Sequence, residues 1–511
     1  MPSKALKDLF EQGRDQEVLA QIAQMEAQGV FASLTENRQL RYLYYKSRSL
    51  ERLMQFEEAL QVVLTARTQY GSPDDTILSL MLLIAHLYAL QRLRRLDEAL
   101  TIMEEGNVIL DFLTAEEQQA GAAWIALFEN VKGLIYHAKG DLDTALDYFQ
   151  RSLTLYERLD NHSDIFGPLG NICSYYLAKD DLDTALKYIH QGVALEKSIN
   201  NQYILASFLT SAGLFYWLKE DWDIALDYYQ RSLSNYEAIN NRPGIAWGLF
   251  TVGTAYRHKG ELETALNYWK RSYTVYEKLD DGKNPHIAIS SYFPLSGIVL
   301  FSLELQDLVQ AQKYLPKLQK LYKRTQDKQI HYVSRLGEAL ILKQGKRMKD
   351  KVQAQVILQQ LINEENTWFA FARIAIVNLC ELLLIEVKSF GDREVWEEVK
   401  TLTQQLHVTA QEYHSFSMIV ETLLLQAKMA TIDGDLQQAL KYYEQARLTA
   451  EEKKLGLQSQ KVNAEQKRFE MELEKWQTLI QRNASLQERL AQSQLDDYIQ
   501  QVQKLVTQMK D

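Results

Sequence analysis

Asp141-Leu142-Asp143-Thr144-Ala145-Leu146-Asp147-Tyr148 is the first of four near-identical stretches in this chain. It returns as Asp181-Leu182-Asp183-Thr184-Ala185-Leu186-Lys187-Tyr188 and as Asp221-Trp222-Asp223-Ile224-Ala225-Leu226-Asp227-Tyr228. The last copy is Glu261-Leu262-Glu263-Thr264-Ala265-Leu266-Asn267-Tyr268, and each copy stands 40 residues after the one before. A strict period of this size marks stacked supersecondary units, none of which buries its apolar face alone.

The apolar spacing within one unit is helical. Leu142, Ala145, Phe149, Ser152, Leu153 and Tyr156 fall on one face of an α-helix. Gly133 and Tyr136 lie twelve and nine residues before Ala145, on a separate amphipathic stretch. The same offsets give Gly213 and Tyr216, then Gly253 and Tyr256, while Cys173 and Tyr176 keep a small residue in the second unit. Small residues at facing positions let two antiparallel helices approach closely. Lys139-Gly140 and Lys259-Gly260 mark the tight turn between them. The repeated acidic residues then begin helices, where a carboxylate caps free N–H groups and complements the helix dipole.

This pattern of a small residue, Tyr, Ala and an aromatic resembles the tetratricopeptide repeat. Gly133, Tyr136, Ala145 and Phe149 carry the likeness in one unit, and Gly253, Tyr256, Ala265 and Trp269 in another. The terminal proline of the common repeat is absent, with Glu157, Lys197, Glu237 and Glu277 in its place. Each second helix runs on into Asp160-Asn161, Asn200-Asn201, Asn240-Asn241 or Asp280-Asp281, which read as polar stops. The resemblance implies an all-α fold, a right-handed α-α superhelix of the longer repeat variety.

Weaker copies extend the register. Gln55 to Ala59 and Arg95 to Ala99 precede the regular units, with Gly13 to Val18 as an N-terminal copy. Asp307 to Ala311 and Gly434 to Ala439 follow them, with degenerate steps centred near Ala354 and Trp396. The sum is about eleven helical hairpins. The expected organisation is degenerate hairpins over 1–122, a regular core over 123–281, degenerate hairpins over 282–455 and a long C-terminal helix over 456–511. Pro294 and Pro316 predict a helix stop or kink. The stretch 313–454 also resembles uncharacterised archaeal tetratricopeptide proteins, through Ala339 to Lys343, Leu379 to Leu384 and Leu424 to Lys428.

Beyond Gly456 there is neither Gly nor Pro. Val462, Phe469, Trp476, Asn483 and Leu490 recur every seven residues, with Leu479 and Leu486 between them. Glu465 and Glu472 interrupt the seam, and Ser485-Leu486-Gln487-Glu488 is a capping-box pattern at which a helix restarts and folds back. Three readings stay open: a cap on the solenoid, a dimerising coiled coil, and a partner-binding helix.

The composition, 46% hydrophobic and 24% charged, is that of a folded globular chain. No apolar run reaches membrane-spanning length, and Met1 to Gln12 lacks a signal-peptide core, so a cytoplasmic protein away from membranes is expected. Two lone cysteines, Cys173 and Cys380, suit a reducing compartment. The net charge is −10, yet Lys313 to Lys351 holds twelve Lys and Arg against three Asp and Glu. Within it Lys343, Lys346, Arg347, Lys349 and Lys351 form a candidate anion-binding cluster, or else a solvated basic face. No nucleic-acid module accompanies them, so nucleic acid is disfavoured as a partner.

Signatures of catalysis and of cofactor or metal binding are missing. His407 and His414 make a poor ligand pair without spaced carboxylates or cysteines. The resemblance places a groove on the first helix of each pair, at Asn130, His137, Asn171, Ser174, Thr210, Trp217, Trp247, Phe250, Thr251 and Arg257. Aromatics with Asn and Arg suit a peptide-gripping surface, although Trp217, Trp247 and Phe250 equally suit packing between repeats. The Lys and Asn clamp of chaperone-binding members is not reproduced here, which argues against a co-chaperone. The expected function is a non-catalytic scaffold for a protein or peptide partner, with the C-terminal helix available for homodimerisation. The alternative is a ligand- or peptide-responsive regulator that signals through that helix, as in the bacterial peptide-sensing repeat proteins it resembles.

Overall fold

The computed structural model describes residues 2–508 except 71–74, 160–163, 180, 197–200, 220, 283, 365–368, 414 and 454. All regular structure among the described residues is helical. Two compact units divide the chain, Met1–Pro294 and Leu295–Asp511.

The first unit is a run of antiparallel helix pairs. Its regular part comprises Ala122–Lys139 with Leu142–Arg158, Phe166–Ala178 with Leu182–Ala194, Gln202–Leu218 with Trp222–Ala238, and Arg242–His258 with Leu262–Leu279. Three contacts recur in register and explain why the sequence repeats. Tyr136 stacks on Tyr148 at 5.5 Å, Tyr176 on Tyr188 at 5.7 Å, Tyr216 on Tyr228 at 5.4 Å and Tyr256 on Tyr268 at 5.5 Å. Ser152, Ser232 and Ser272 each donate to the carbonyl of an alanine on the facing helix, Ala126, Ala206 and Ala246, at 2.6–2.7 Å. At the glycine, an added Cβ would stand 2.4 Å from Phe149, 2.6 Å from Tyr229 or 2.7 Å from Trp269. The close helix approach therefore needs the small residue at each crossing.

The departures from the pattern compensate one another. Where Cys173 replaces the glycine, Ile189 replaces the facing aromatic, so the crossing keeps its volume. Gly192 stands where the other units have serine, and the Phe208 ring fills the space its Cβ would take. Asp141, Asp181 and Asp221 cap the second helices by accepting from Thr144, Thr184 and Ile224 N–H, as their position predicts. Glu261, one methylene longer, makes no such cap.

Ahead of these pairs come Pro2–Glu11 with Asp15–Ala27, Glu36–Arg52 with Phe56–Tyr70, and Thr76–Arg92 with Leu96–Phe112. The first two pairs also close onto the far end of the same unit. Asn240 bonds Gln16 at 3.1 Å, Asn284 donates to the Met54 carbonyl at 2.8 Å, and the Arg52 guanidinium lies 5.2 Å from the Tyr203 ring. An ionic network, buried except at Arg92, sits beside this closure. Arg48 and Arg92 both hold Glu51, at 3.0 and 2.7 Å, while Arg52 and Ser49 hold Asp15.

Helix Pro285–Glu304 carries the division between units and runs through Pro294, and Leu308–Thr325 runs through Pro316. Of the stop or kink expected at these prolines, the stop is absent from both helices. The first helix is long and apolar enough to cross a membrane, contrary to the expectation from composition, and 67% of its apolar window is buried in the protein.

The second unit continues with Lys328–Lys343 and Met348–Ile362, Phe369–Phe390 and Arg393–Glu412, and Phe416–Asp433 and Leu436–Glu452. Ala354 and Trp396, the centres of the degenerate steps, are 0% and 1% exposed. After Gly456 the expected long helix is corrected to four shorter ones, Gly456–Met471, Leu473–Gln481, Leu486–Gln492 and Leu495–Gln508. Asn483 and Gln494 take left-handed φ of 52° and 48°, and Ser485 with Glu488 closes a capping box, so local chemistry breaks the helix. Val462, Phe469, Trp476, Leu479, Leu486 and Leu490 join the core of their own unit instead of forming a seam for a second chain.

Candidate functional site

Two groups of aromatic rings form around the first helices of the regular pairs, completed by Trp222 from a second helix and by Phe293 from helix Pro285–Glu304. Trp217 meets Trp222 edge-on at 6.2 Å and His258 at 5.2 Å, and Trp222 stacks on His258 at 4.6 Å. Trp247 meets Phe250 at 5.3 Å and Phe293 edge-on at 5.6 Å, while Phe250 lies 5.7 Å from Phe293. Each group ties one hairpin to the next, and Trp217, Trp222, Trp247, Phe250 and Phe293 are all only half-buried. The rings thus serve packing on one edge and stay accessible on another.

The remaining groove residues divide. Asn171 donates to Asn130 at 2.8 Å, linking two hairpins through a buried amide. Thr210 bonds Ser232 at 2.7 Å, buried Thr251 bonds the Gly248 carbonyl, and exposed Ser174 bonds the Gly170 carbonyl. These three satisfy their hydroxyls within their own hairpins. His137 and Arg257 occupy the repeat position of Trp217 and are half-buried.

Sequence reading missed Trp222, His258 and Phe293. The signal for Trp222 was present: it stands where the other three copies have Leu142, Leu182 and Leu262. A break in a strict repeat was the clue.

The basic cluster is not a single surface. Lys343 points inward, bonding Asn378 at 2.6 Å and pairing with Glu381. Burial pulls its ammonium below the ordinary lysine range, and Glu381 offsets part of that. Lys346, Arg347 and Lys349 are exposed. Lys351 stands beside a groove of about 600 Å³ lined by Met348, Val352, Val356, Ile385 and Phe390, of which Phe390 is 77% exposed. The spacing of Met348, Val352 and Val356 on one helix face was legible in the sequence.

The nucleophile and ligand candidates are structural in their surroundings. Burial pushes both thiols, Cys173 and Cys380, up to about 12, far from the thiolate form. His407 is buried, bonds Thr422 at 2.8 Å and has its pKa lowered by burial. His414 lies outside the described residues. Among the described residues no group of three or more His, Cys, Asp and Glu side chains is placed to hold a metal ion.

Antiparallel helix pairs stacked in register, joined by a small residue against an aromatic at three of the four regular crossings and against Ile189 at the other, define a helical-repeat solenoid. Tetratricopeptide-repeat family models match residues 131–162 and 204–278. These two stretches of the chain are tetratricopeptide repeats. No curated protein matches it. Among solved structures it is similar to the apo form of the quorum sensor NprR from B. thuringiensis, 15% identical with a TM-score of 0.47, covering 69% of this chain and 97% of that one. It is also similar to a signal transduction ATPase with a tetratricopeptide repeat sensor from Pyrococcus horikoshii, 13% identical with a TM-score of 0.47, covering 72% of this chain and 54% of that one.

Proposed function

We propose that the protein is a non-catalytic interaction scaffold that holds a segment of a partner protein against the first helices of its regular repeats. The observation carrying this reading is the pair of half-exposed aromatic groups around Trp217 and Trp247. Each ring is anchored on one edge by the next hairpin, so little side-chain freedom remains to be lost on binding. A rigid aromatic with an open edge is the residue type that dominates binding hot spots. Arg257 and Asn171 add polar groups for a peptide backbone or side chain.

The test is affinity capture from the source cell's lysate with the intact protein and with a Trp217→Ala, Trp247→Ala, Arg257→Ala variant. A partner retained by the first and lost by the second, with equal helicity in both, supports the site. Equal retention removes it.

A second reading is favoured by one observation. The C-terminal segment turns back over helices Phe369–Phe390 and Phe416–Asp433, as a segment that reports on the state of the solenoid would. A ligand-responsive regulator would compact on adding the ligand, which small-angle scattering would detect; an unchanged radius of gyration would argue against it.

A further inference from the structure

The last helix, Leu495–Gln508, lies in a place that an end cap does not need to reach. The end of the hairpin Phe416–Asp433 and Leu436–Glu452 is already covered by Gly456–Met471. Leu495–Gln508 instead runs back across the first helices Phe369–Phe390 and Phe416–Asp433. Leu495, Tyr498, Ile499 and Val502 form one face of it, and each is 2% exposed or less.

The walls it meets carry polar groups, already held by Lys343 and Lys461, to which the helix adds further bonds. The Tyr498 hydroxyl donates to buried Glu421 at 2.7 Å, an oxygen that also accepts from Lys461 at 2.7 Å. Lys428 and Lys461 each stand 4.8 Å from the Tyr498 ring. Gln503 donates to buried Asn378 at 2.8 Å, and Lys388 pairs with Asp496. An apolar trough, a buried carboxylate and amide on its walls and lysines at its rim together read a helix of one particular chemistry. The segment is joined to the unit through Gln494, at φ 48°, so its helix is separate from the one before. A helix of this length is marginal on its own in water, so its order depends on the trough.

We propose that the trough across helices 369–390 and 416–433 is a docking site for an amphipathic helix of a partner protein, occupied in cis by 495–508 as a replaceable stand-in. The partner helix carries an acidic first turn for Lys388, aliphatic residues at the positions of Leu495, Ile499 and Val502, and a tyrosine at that of Tyr498 for Glu421. Tethering gives the cis helix an effective concentration of about millimolar, so a free helix of equal affinity must approach that concentration to displace it and a tighter one proportionally less. This inference concerns the second unit only and stands apart from the aromatic site of the first.

The probe is a fluorescent synthetic peptide of residues 495–508, titrated into the full chain and followed by anisotropy. A full-length Tyr498→Ala, Ile499→Ala, Val502→Ala variant empties the trough and is expected to bind the peptide at least about 10-fold more tightly than the unmodified chain. A Tyr498→Phe peptide is expected to bind that variant about 10-fold more weakly, because a bond to a charged acceptor is lost. A variant that keeps its helicity but binds the peptide no better than the unmodified chain overturns the proposal. Hydrogen exchange on the unmodified chain gives an independent answer should the variant lose helicity. Amides of 495–503 are expected to exchange at least about 100-fold faster than those of 416–433, since the segment opens without its unit. Equal protection overturns the proposal. A stable dimer of the unmodified chain that the peptide dissociates would assign the trough to a second copy and overturn the partner assignment.

Discussion

The regular repeats and the segment after Gly456 hold together over very different distances along the chain. In the repeats the tyrosine stacks join residues twelve apart, as in Tyr136 and Tyr148, and the serine bonds join residues 26 apart. In the C-terminal segment, Tyr498 reaches Glu421 and Gln503 reaches Asn378, separations of 77 and 125 residues. A repeat copies the same short-range contact into every unit, so one sequence phrase specifies the whole array. A segment that folds back is specified only by what it happens to meet.

If the repeats owe their order to identical crossings, removing the aromatic at one crossing has the largest effect. Trp269→Ala deletes a side chain 2% exposed and is expected to cost about 3–5 kcal/mol in urea denaturation. A cost below about 1 kcal/mol would mean that the crossing collapses around the gap.

The closure of the first unit sharpens the contrast, because it is long-range in a region otherwise built from short-range contacts. Burial alone would raise the Glu51 carboxyl, but Arg48 and Arg92 outweigh burial and hold it below its ordinary value. A carboxyl depressed in the folded state contributes stability in full above its unfolded value, and that contribution is lost as pH falls through the folded value. Stability is therefore expected to fall with acid below about pH 4.5, more steeply in the intact protein than in Glu51→Gln. At neutral pH the variant is expected to lose about 3 kcal/mol, since it leaves buried arginine charge without its partner. Parallel acid profiles would show that the network does not set the slope.

Substituting the small residue is expected to cost less than emptying the crossing. Gly213→Val places side-chain atoms against Tyr229, and a loss of about 1–3 kcal/mol is expected by thermal melting. The smallest effect is a gain. Glu261→Asp gives the last regular repeat the cap its three predecessors have, for a few tenths of a kcal/mol. No gain would mean that the cap geometry is set by the backbone rather than the side chain.

The same contrast explains what was legible in the sequence. The hairpins, their caps and the buried alanines followed from the period, because each is fixed by residues close in the chain. The compensating pair Cys173 and Ile189 was half visible, since only the small position had been read. The closure of the N-terminal pairs onto Tyr203, Asn240 and Asn284 was not visible, because nothing periodic announces a contact more than 140 residues away. At the candidate site, Trp217, Trp247 and Phe250 were found by register, while Trp222 and Phe293, which complete their groups, were not. In the C-terminal segment the heptad spacing was real, but it recorded burial in the unit's own core.

The most direct test of the interaction reading is hydrogen exchange on the full chain with and without the captured partner. Binding at the aromatic groups is expected to slow exchange of the helices 202–218 and 242–258. Slowed exchange confined to helices outside these two would contradict the site.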